Sequence, residues 1–308
     1  MTHPPTGQQV RISHGEHEVW SVSVAAGLRS YTCAGRPLLD GFEPQSGVDG
    51  GRGQSLLPWP NRLAGARYRF EGTSYQLAIS EPATGNAIHG LARWVPWRLA
   101  DQAPASVTWE YTIPVQPGWP TSLLCQVTHA LSDQGLTVTT KATNVGASPC
   151  PYGTGTHPYL RAGAGLVDSW SLRVPAGVWY ETDAVGIPVA AHEVSGTEHD
   201  LRTPTLIGSR VLDTCYGDLQ RDPDGRWRVS LDGPDDGSDD GPGLTLWADE
   251  AYGWVQVFSG DTLAAGRRRR GLAVEPLTCP PDAFNSGAGV VRLAPGDSRT
   301  ATWGLSPS

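Results

Sequence analysis

Methionine is nearly missing from this chain of 308 residues, which has one Met and four Phe against twelve Trp. No C-x-x-C pair occurs among its five cysteines, at positions 33, 125, 150, 215 and 279. A zinc ribbon or redox dithiol therefore has no ligand spacing to use, and an odd count in a long chain argues against a disulfide framework. Reduced thiols and a cytoplasmic location are expected. No apolar run is long enough to span a membrane, and the polar opening from Met1 to Val10 lacks the apolar core of a signal peptide. Basic residues are not in excess: the formal charge is −8, which excludes the basic surface that nucleic-acid binding needs. There is no phosphate loop, no G-x-S-x-G elbow and no dinucleotide fingerprint, so no cofactor is expected. His192, Glu193, His199 and Asp200 share a segment but carry no metal-ligand spacing, and that segment reads as a polar loop.

Helical periodicity is missing too. No stretch of about a dozen residues repeats at 3.6. What recurs instead is alternation. Trp20, Val22 and Val24 alternate with polar neighbours, as do Tyr75, Leu77 and Ile79, then Val107, Trp109, Tyr111 and Ile113. The pattern continues through Cys125 to Leu131, Leu136 to Ala142, Trp227 to Leu231, and Val255 with Val257. Period two marks half-buried strands. Turn signals separate them at Glu71-Gly72, Asp133-Gln134-Gly135, Asn144-Val145-Gly146, Asp224-Gly225 and Pro295-Gly296-Asp297. The chain reads as all β, with hairpins stacked as antiparallel sheets in one domain over 1–308. The acidic, Gly-rich stretch from Asp232 to Gly243 reads as a loop joining two arms of one hairpin. It and the basic run Arg267 to Arg270 are expected to be solvated tips, because like charges in a short run repel.

Five segments carry side chains suited to chemistry. Asn61-Arg62, after the Pro-rich turn Leu57 to Pro60, can offer a planar fork of donors to oxygen atoms, or can pack over an aromatic. His89-Gly90, followed by Arg93, can present a ring nitrogen to a ligand, or can be structural. His157, in Thr156-His157-Pro158-Tyr159, has its backbone restricted by the following proline. An imidazole so placed beside Tyr152 and Tyr159 suits acid work, its ordinary pKa lying near 6.5; a buried turn histidine is the alternative. Asp213, between apolar residues, needs donors from sugar hydroxyls or from backbone amides. Glu275 ends an apolar strand just before Pro276. Desolvation there would raise its pKa toward the range of a general base, unless a buried arginine pairs with it.

In this order, Asn61-Arg62 with Gly65 and Tyr68, Asn86 with His89-Gly90, Thr156-His157-Pro158-Tyr159, Leu212-Asp213 and Glu275-Pro276 resemble the aldose 1-epimerase (galactose mutarotase) family, over roughly Gly51 to Gly304. The resemblance implies a β-supersandwich with its site in an open cleft. It implies Glu275 as catalytic base and His157 as catalytic acid, with Arg62, His89 and Asp213 on the sugar. Asn61 and Arg93 join them as candidate substrate contacts, and Trp59 or Trp97 as a platform for the sugar's apolar face. The implied partner is a monosaccharide held by a monomer or homodimer.

Two alternatives stay open. Arg93 is also similar to an arginine of the hexose-6-phosphate epimerase branch, where a guanidinium would meet a phosphate. A non-catalytic carbohydrate-binding β-sandwich would keep the aromatics and arginines but would need no acid–base pair.

Overall fold

A computed structural model describes residues 3–234 and 243–308. Two large antiparallel sheets dominate it. One has nine strands, in the order Arg98–Ala103, Ser106–Ile113, Leu123–Ser132, Gly135–Asn144, Ser298–Pro307, Leu244–Ala248, Trp227–Asp232, Ser171–Arg173 and Thr205–Leu206. The second runs Pro188–Glu193, Ala176–Thr182, Asp213–Leu219, Trp254–Phe258, Leu272–Leu277, Gly155–Thr156 and Ser55–Leu56. Its eighth strand, Tyr159–Leu160, also pairs with Leu272–Leu277. A four-stranded sheet is built from Gln9–His14, His17–Val22, Gly27–Cys33 and Arg36–Pro37.

Alternation in the sequence becomes alternation in burial. In Leu123–Ser132 the residues Leu123, Cys125, Val127, His129 and Leu131 are buried, and those between them are less so. Leu123, Cys125, Val127 and Leu131 belong to one hydrophobic core with Trp109, Trp227 and Trp303, all three fully buried. The central strand Leu272–Leu277 is buried at every position, which accounts for its near-continuous apolar sequence. Helix is confined to one four-residue α-turn, Ala283–Ser286, and two 3-10 turns among the described residues. Cys125, Cys150, Cys215 and Cys279 are buried thiols outside any disulfide.

Some expectations need correction. The alternation through Leu77 and Ile79 does not extend the strand Thr73–Gln76. Leu77 N–H still donates to Ala66 O, but the opposing segment turns there through the 3-10 turn Ala64–Ala66, which ends the ladder. The run Arg267 to Arg270 is a solvated tip only in part: Arg268 and Arg270 are exposed, whereas Arg267 and Arg269 are half-buried. Arg269 bridges Asp168 and Asp261, Arg267 donates to the carbonyl of Gly41, and Arg270 lies 3.4 Å from Asp40. Carboxylates supplied by distant segments neutralise the repulsion that composition alone predicts. His192 belongs to a strand, Pro188–Glu193, and its ring and that of His199 stack on Trp179. The acidic loop lies largely outside the described residues, but its two arms, Trp227–Asp232 and Leu244–Ala248, pair as one hairpin.

Candidate active site

Strand register assembles the carboxylate side of a cleft. Gln256 is paired with Cys215 on one neighbour and Glu275 on the other, and Phe258 with Asp213 and Ala273. Directly opposed residues share a face, as do residues two apart on one strand. Asp213, Gln256, Phe258 and Glu275 therefore project together, and they line one cleft with Asn61, Arg62, His89, His157 and Thr262. The cleft has a volume of about 100 Å³.

His157 comes from the turn between the short strands Gly155–Thr156 and Tyr159–Leu160, both laddered to Leu272–Leu277. Its backbone is pinned twice: its N–H donates to Gln54 O, and its carbonyl accepts from Gly53 N–H. The imidazole Nε2 lies 3.3 Å from Glu275 Oε1. His157 is 5 % exposed and Glu275 2 %. Burial penalises charge on both. It holds the His157 imidazole down at about 3, helped by the nearby Arg52 charge. It pushes the Glu275 carboxyl well up, reinforced by Asp213 and opposed by Arg62. The partner of Glu275 is thus an imidazole, with a guanidinium acting only at longer range. A pKa near 6.5, expected for His157 from its type, does not survive this desolvation.

Three polar atoms on these cleft residues are buried with no hydrogen-bond partner: Glu275 Oε2, His157 Nδ1 and Gln256 Oε1. An unpaired buried acceptor costs on the order of 1–3 kcal/mol. A ligand bearing several hydroxyls can supply the missing donors.

His89 is held by Asn61. The Asn61 backbone N–H donates to His89 Nδ1 at 3.1 Å, and the His89 N–H returns to the Asn61 carbonyl at 2.9 Å. Both residues adopt positive φ, 53° and 63°, a strained conformation common near functional sites. Burial keeps the His89 imidazole neutral, its pKa well below the usual value. With Nδ1 accepting, the proton sits on Nε2. Its ring stands edge-on to His157 with centroids 5.5 Å apart.

Arg62 spends most of its fork on Glu81, with Nε at 2.7 Å and Nη2 at 2.9 Å from the two carboxylate oxygens. Nη1 makes no hydrogen bond among the described residues. The Asp183–Ile187 turn backs this arm: a Cβ on Gly186 would fall 2.6 Å from Nη1. Asp213 accepts a 2.7 Å bond from the Gln256 side chain, a side-chain amide rather than the backbone amide that the sequence offered as one donor. Asp213 keeps an exposed edge, but desolvation in the cleft raises its carboxyl pKa, with Arg62 opposing.

Arg93 does not line the cleft. Its guanidinium packs 5.0 Å from the Trp94 ring centroid and makes no ion pair or hydrogen bond among the described residues. Its charge nonetheless reaches both His89 and His157. Trp59 and Trp97 are core residues, 1 % and 3 % exposed, and offer no platform to a ligand; Trp97 donates to Ala92 O. The aromatic in the cleft is Phe258. Gln256, which the sequence reading passed over, had a readable signal: it is an amide between Val255 and Val257, on a strand whose other outward positions are Trp254 and Phe258.

Comparison with known proteins fits this architecture. Residues 8–306 match the model of the aldose 1-epimerase family. The uncharacterized protein YihR of Escherichia coli (strain K12) is 34 % identical over 292 residues, covering 94 % of this chain and 90 % of that protein. An aldose 1-epimerase of the same organism is 27 % identical over 168 residues, 52 % of this chain and 47 % of that one. Among solved structures, a GalM/aldose epimerase homologue from C. elegans superposes with a TM-score of 0.84 at 19 % identity, covering 97 % of this chain and 99 % of that one. A galactose mutarotase-like protein from Clostridium acetobutylicum gives 0.80 at 15 % identity, covering 96 % and 94 %. At these identities the superpositions speak to the fold, which is that of galactose mutarotase-like proteins.

Proposed function

The chain belongs to the aldose 1-epimerase family, and from that premise we propose that it interconverts the α and β anomers of a hexose by acid–base ring opening. The observation that carries this reading is the 3.3 Å approach of His157 Nε2 to Glu275 Oε1 on the wall of an open cleft. Mutarotation needs one proton taken from the C1 hydroxyl and one delivered to the ring oxygen. Both oxygens sit on one carbon, so the donor and the acceptor must lie side by side.

Glu275 takes the proton from the C1 hydroxyl and His157 gives one to the ring oxygen. The C1–ring-oxygen bond breaks, its electron pair stays on the ring oxygen, and C1 becomes an aldehyde. Rotation about C1–C2 turns the other face toward the pair, and the reverse transfers close the ring. Burial matters here. It favours neutral imidazole and neutral carboxyl, the state the pair holds once the ring has opened. The ion-paired form, required before opening, differs from it by one proton moved across the Glu275–His157 contact. Burial therefore sets the cost of reaching the ion-paired form, and that single transfer across the contact is reversed when the ring closes. In this reading His89 Nε2–H and the free Nη1 of Arg62 donate to sugar oxygens, while Asp213 and Gln256 Oε1 accept from hydroxyls.

Polarimetry on freshly dissolved α-glucose and α-galactose tests the reading. The enzyme is expected to speed the decay of optical rotation; no acceleration with any of several aldoses would refute it for neutral sugars. A second reading, hexose-6-phosphate 1-epimerase, is favoured by Arg93, a half-buried guanidinium without an ion pair whose charge is felt in the cleft. Glucose 6-phosphate preferred over glucose, with that preference lost in Arg93→Ala, would establish it. A non-catalytic carbohydrate-binding sandwich has less support, since hydroxyl recognition alone does not call for a buried Glu–His pair. It predicts binding without turnover, undisturbed by Glu275→Gln.

A further inference from the structure

Behind His157 lies a stack that the proposed reaction does not use. The imidazole lies parallel to the Tyr159 ring, with centroids 5.1 Å apart and planes 10° from each other. On Tyr159 sits the Arg52 guanidinium, its Cζ 4.0 Å from the ring centroid. Arg52 is 2 % exposed. Its Nη1 donates to Asp40 Oδ2 at 2.7 Å and to Asp40 O at 2.8 Å, and its Nε to Asp49 Oδ1 at 3.2 Å. Its Nη2 is buried without a partner. The Tyr159 hydroxyl donates to Gly50 O at 2.8 Å. The segment that carries Arg52 also grips the His157 backbone through Gly53 and Gln54. Gly51 touches the imidazole edge, where an added Cβ would fall 2.6 Å from Cδ2.

Burying a guanidinium is expensive, and an apolar residue often fills such a site with no loss of stability. A cation kept here, one ring away from a proton-transfer group, is explained by its effect on that group. We propose that Arg52 is a positioning residue for His157, fixing the plane of the imidazole through Tyr159 and setting its proton affinity by the positive field behind the ring. This rests on His157 being the proton donor of the reaction above. The groups facing the stack leave that field positive: Asp40 and Asp49 are outnumbered by Arg52, Arg267 at 3.9 Å from Asp49, and Arg270 at 3.4 Å from Asp40. On its open side His157 meets Glu275 and the edge of neutral His89, with Arg93 adding positive charge. The direction agrees, since the Arg52 charge is the largest influence after burial that lowers the His157 pKa.

The test is an NMR titration of full-length protein carrying ¹⁵N-labelled histidine, with Arg52→Met compared to wild type. At the lowest pH the fold tolerates, the protonated fraction of His157 is expected to rise several-fold in Arg52→Met, equivalent to a midpoint about one unit higher. In parallel, loss of the fixed imidazole plane lowers kcat about tenfold with KM nearly unchanged, and the acid limb of the pH–rate profile moves up. A folded variant whose His157 titrates as in wild type overturns the proposal. Should Arg52→Met not fold, Arg52→Gln, which can still donate to Asp40, carries the same test. The titration needs no turnover. A moved midpoint in a protein without mutarotase activity would sink the reaction and leave the Arg52–His157 coupling standing; an unmoved midpoint in an active enzyme would do the reverse.

Discussion

The Asn61 backbone N–H donates to Nδ1 of His89, and that single bond decides which nitrogen of His89 can serve a ligand. Because burial also keeps the ring neutral, His89 is a fixed Nε2–H donor across the pH 5–8 range in which a free histidine changes charge. Its ¹⁵N shifts should report one neutral tautomer throughout that range. His89→Ala should raise KM about tenfold, the loss of one hydrogen bond to a sugar oxygen, near 1.4 kcal/mol. A titrating ring near pH 6.5 would contradict this account of His89.

Arg62 is aimed by Glu81, which holds two of its nitrogens. Glu81→Gln leaves the cleft lining intact but frees the guanidinium to swing. A loss of about tenfold in kcat/KM, carried mainly by KM, is expected, with little change in melting temperature. Unchanged kinetics would mean that Arg62 does not depend on Glu81 for its place.

Gly51 abuts the His157 ring with φ of 74°. A methyl group there meets Cδ2, and an L-residue is strained at that φ. Gly51→Ala should lower stability by about 1–3 kcal/mol and lower kcat well beyond what the remaining folded fraction explains. Thermal melts and rates measured on one sample separate the two effects.

Glu275 carries a stability cost with a definite pH dependence. Its folded pKa lies above the ordinary 4.5. Below that value folded and unfolded chains both hold the proton, and Glu275→Gln gains nothing. As pH rises the unfolded chain ionises first, so wild type loses stability relative to the variant by about 1.4 kcal/mol for each unit of the raised pKa. Denaturant melts should show the variant more stable at neutral pH, with the gap closing toward pH 4.5. A gap that widens on acidification would contradict the direction of the shift.

Much of the fold was legible because period-two burial writes itself into local sequence. The strands Ser106–Ile113, Leu123–Ser132 and Gly135–Asn144 follow alternations visible residue by residue. The candidate site was legible where a polar group interrupts an apolar strand, as Glu275 does, or where backbone-shaping residues surround a side chain, as Pro158 does at His157. What failed to show in the sequence depends on distant partners. Arg267 to Arg270 look repulsive until Asp40, Asp168 and Asp261 are brought to them by the fold. Trp59 and Trp97 carry no mark separating a core indole from a sugar platform. The ordinary pKa of His157 is changed by a core, and by Arg52, that no local window contains.

The central claim is that Glu275 and His157 exchange protons with one anomeric centre. Exchange NMR on ¹³C1-labelled glucose and galactose measures directly the rate at which α and β forms interconvert, with wild type, Glu275→Gln and His157→Gln compared at equal folded concentration. The account predicts rapid enzyme-driven exchange in wild type and a fall of about 10²–10⁴-fold in each variant, while sugar binding persists. Exchange in either variant that matches wild type, on a sugar the enzyme turns over, would contradict it.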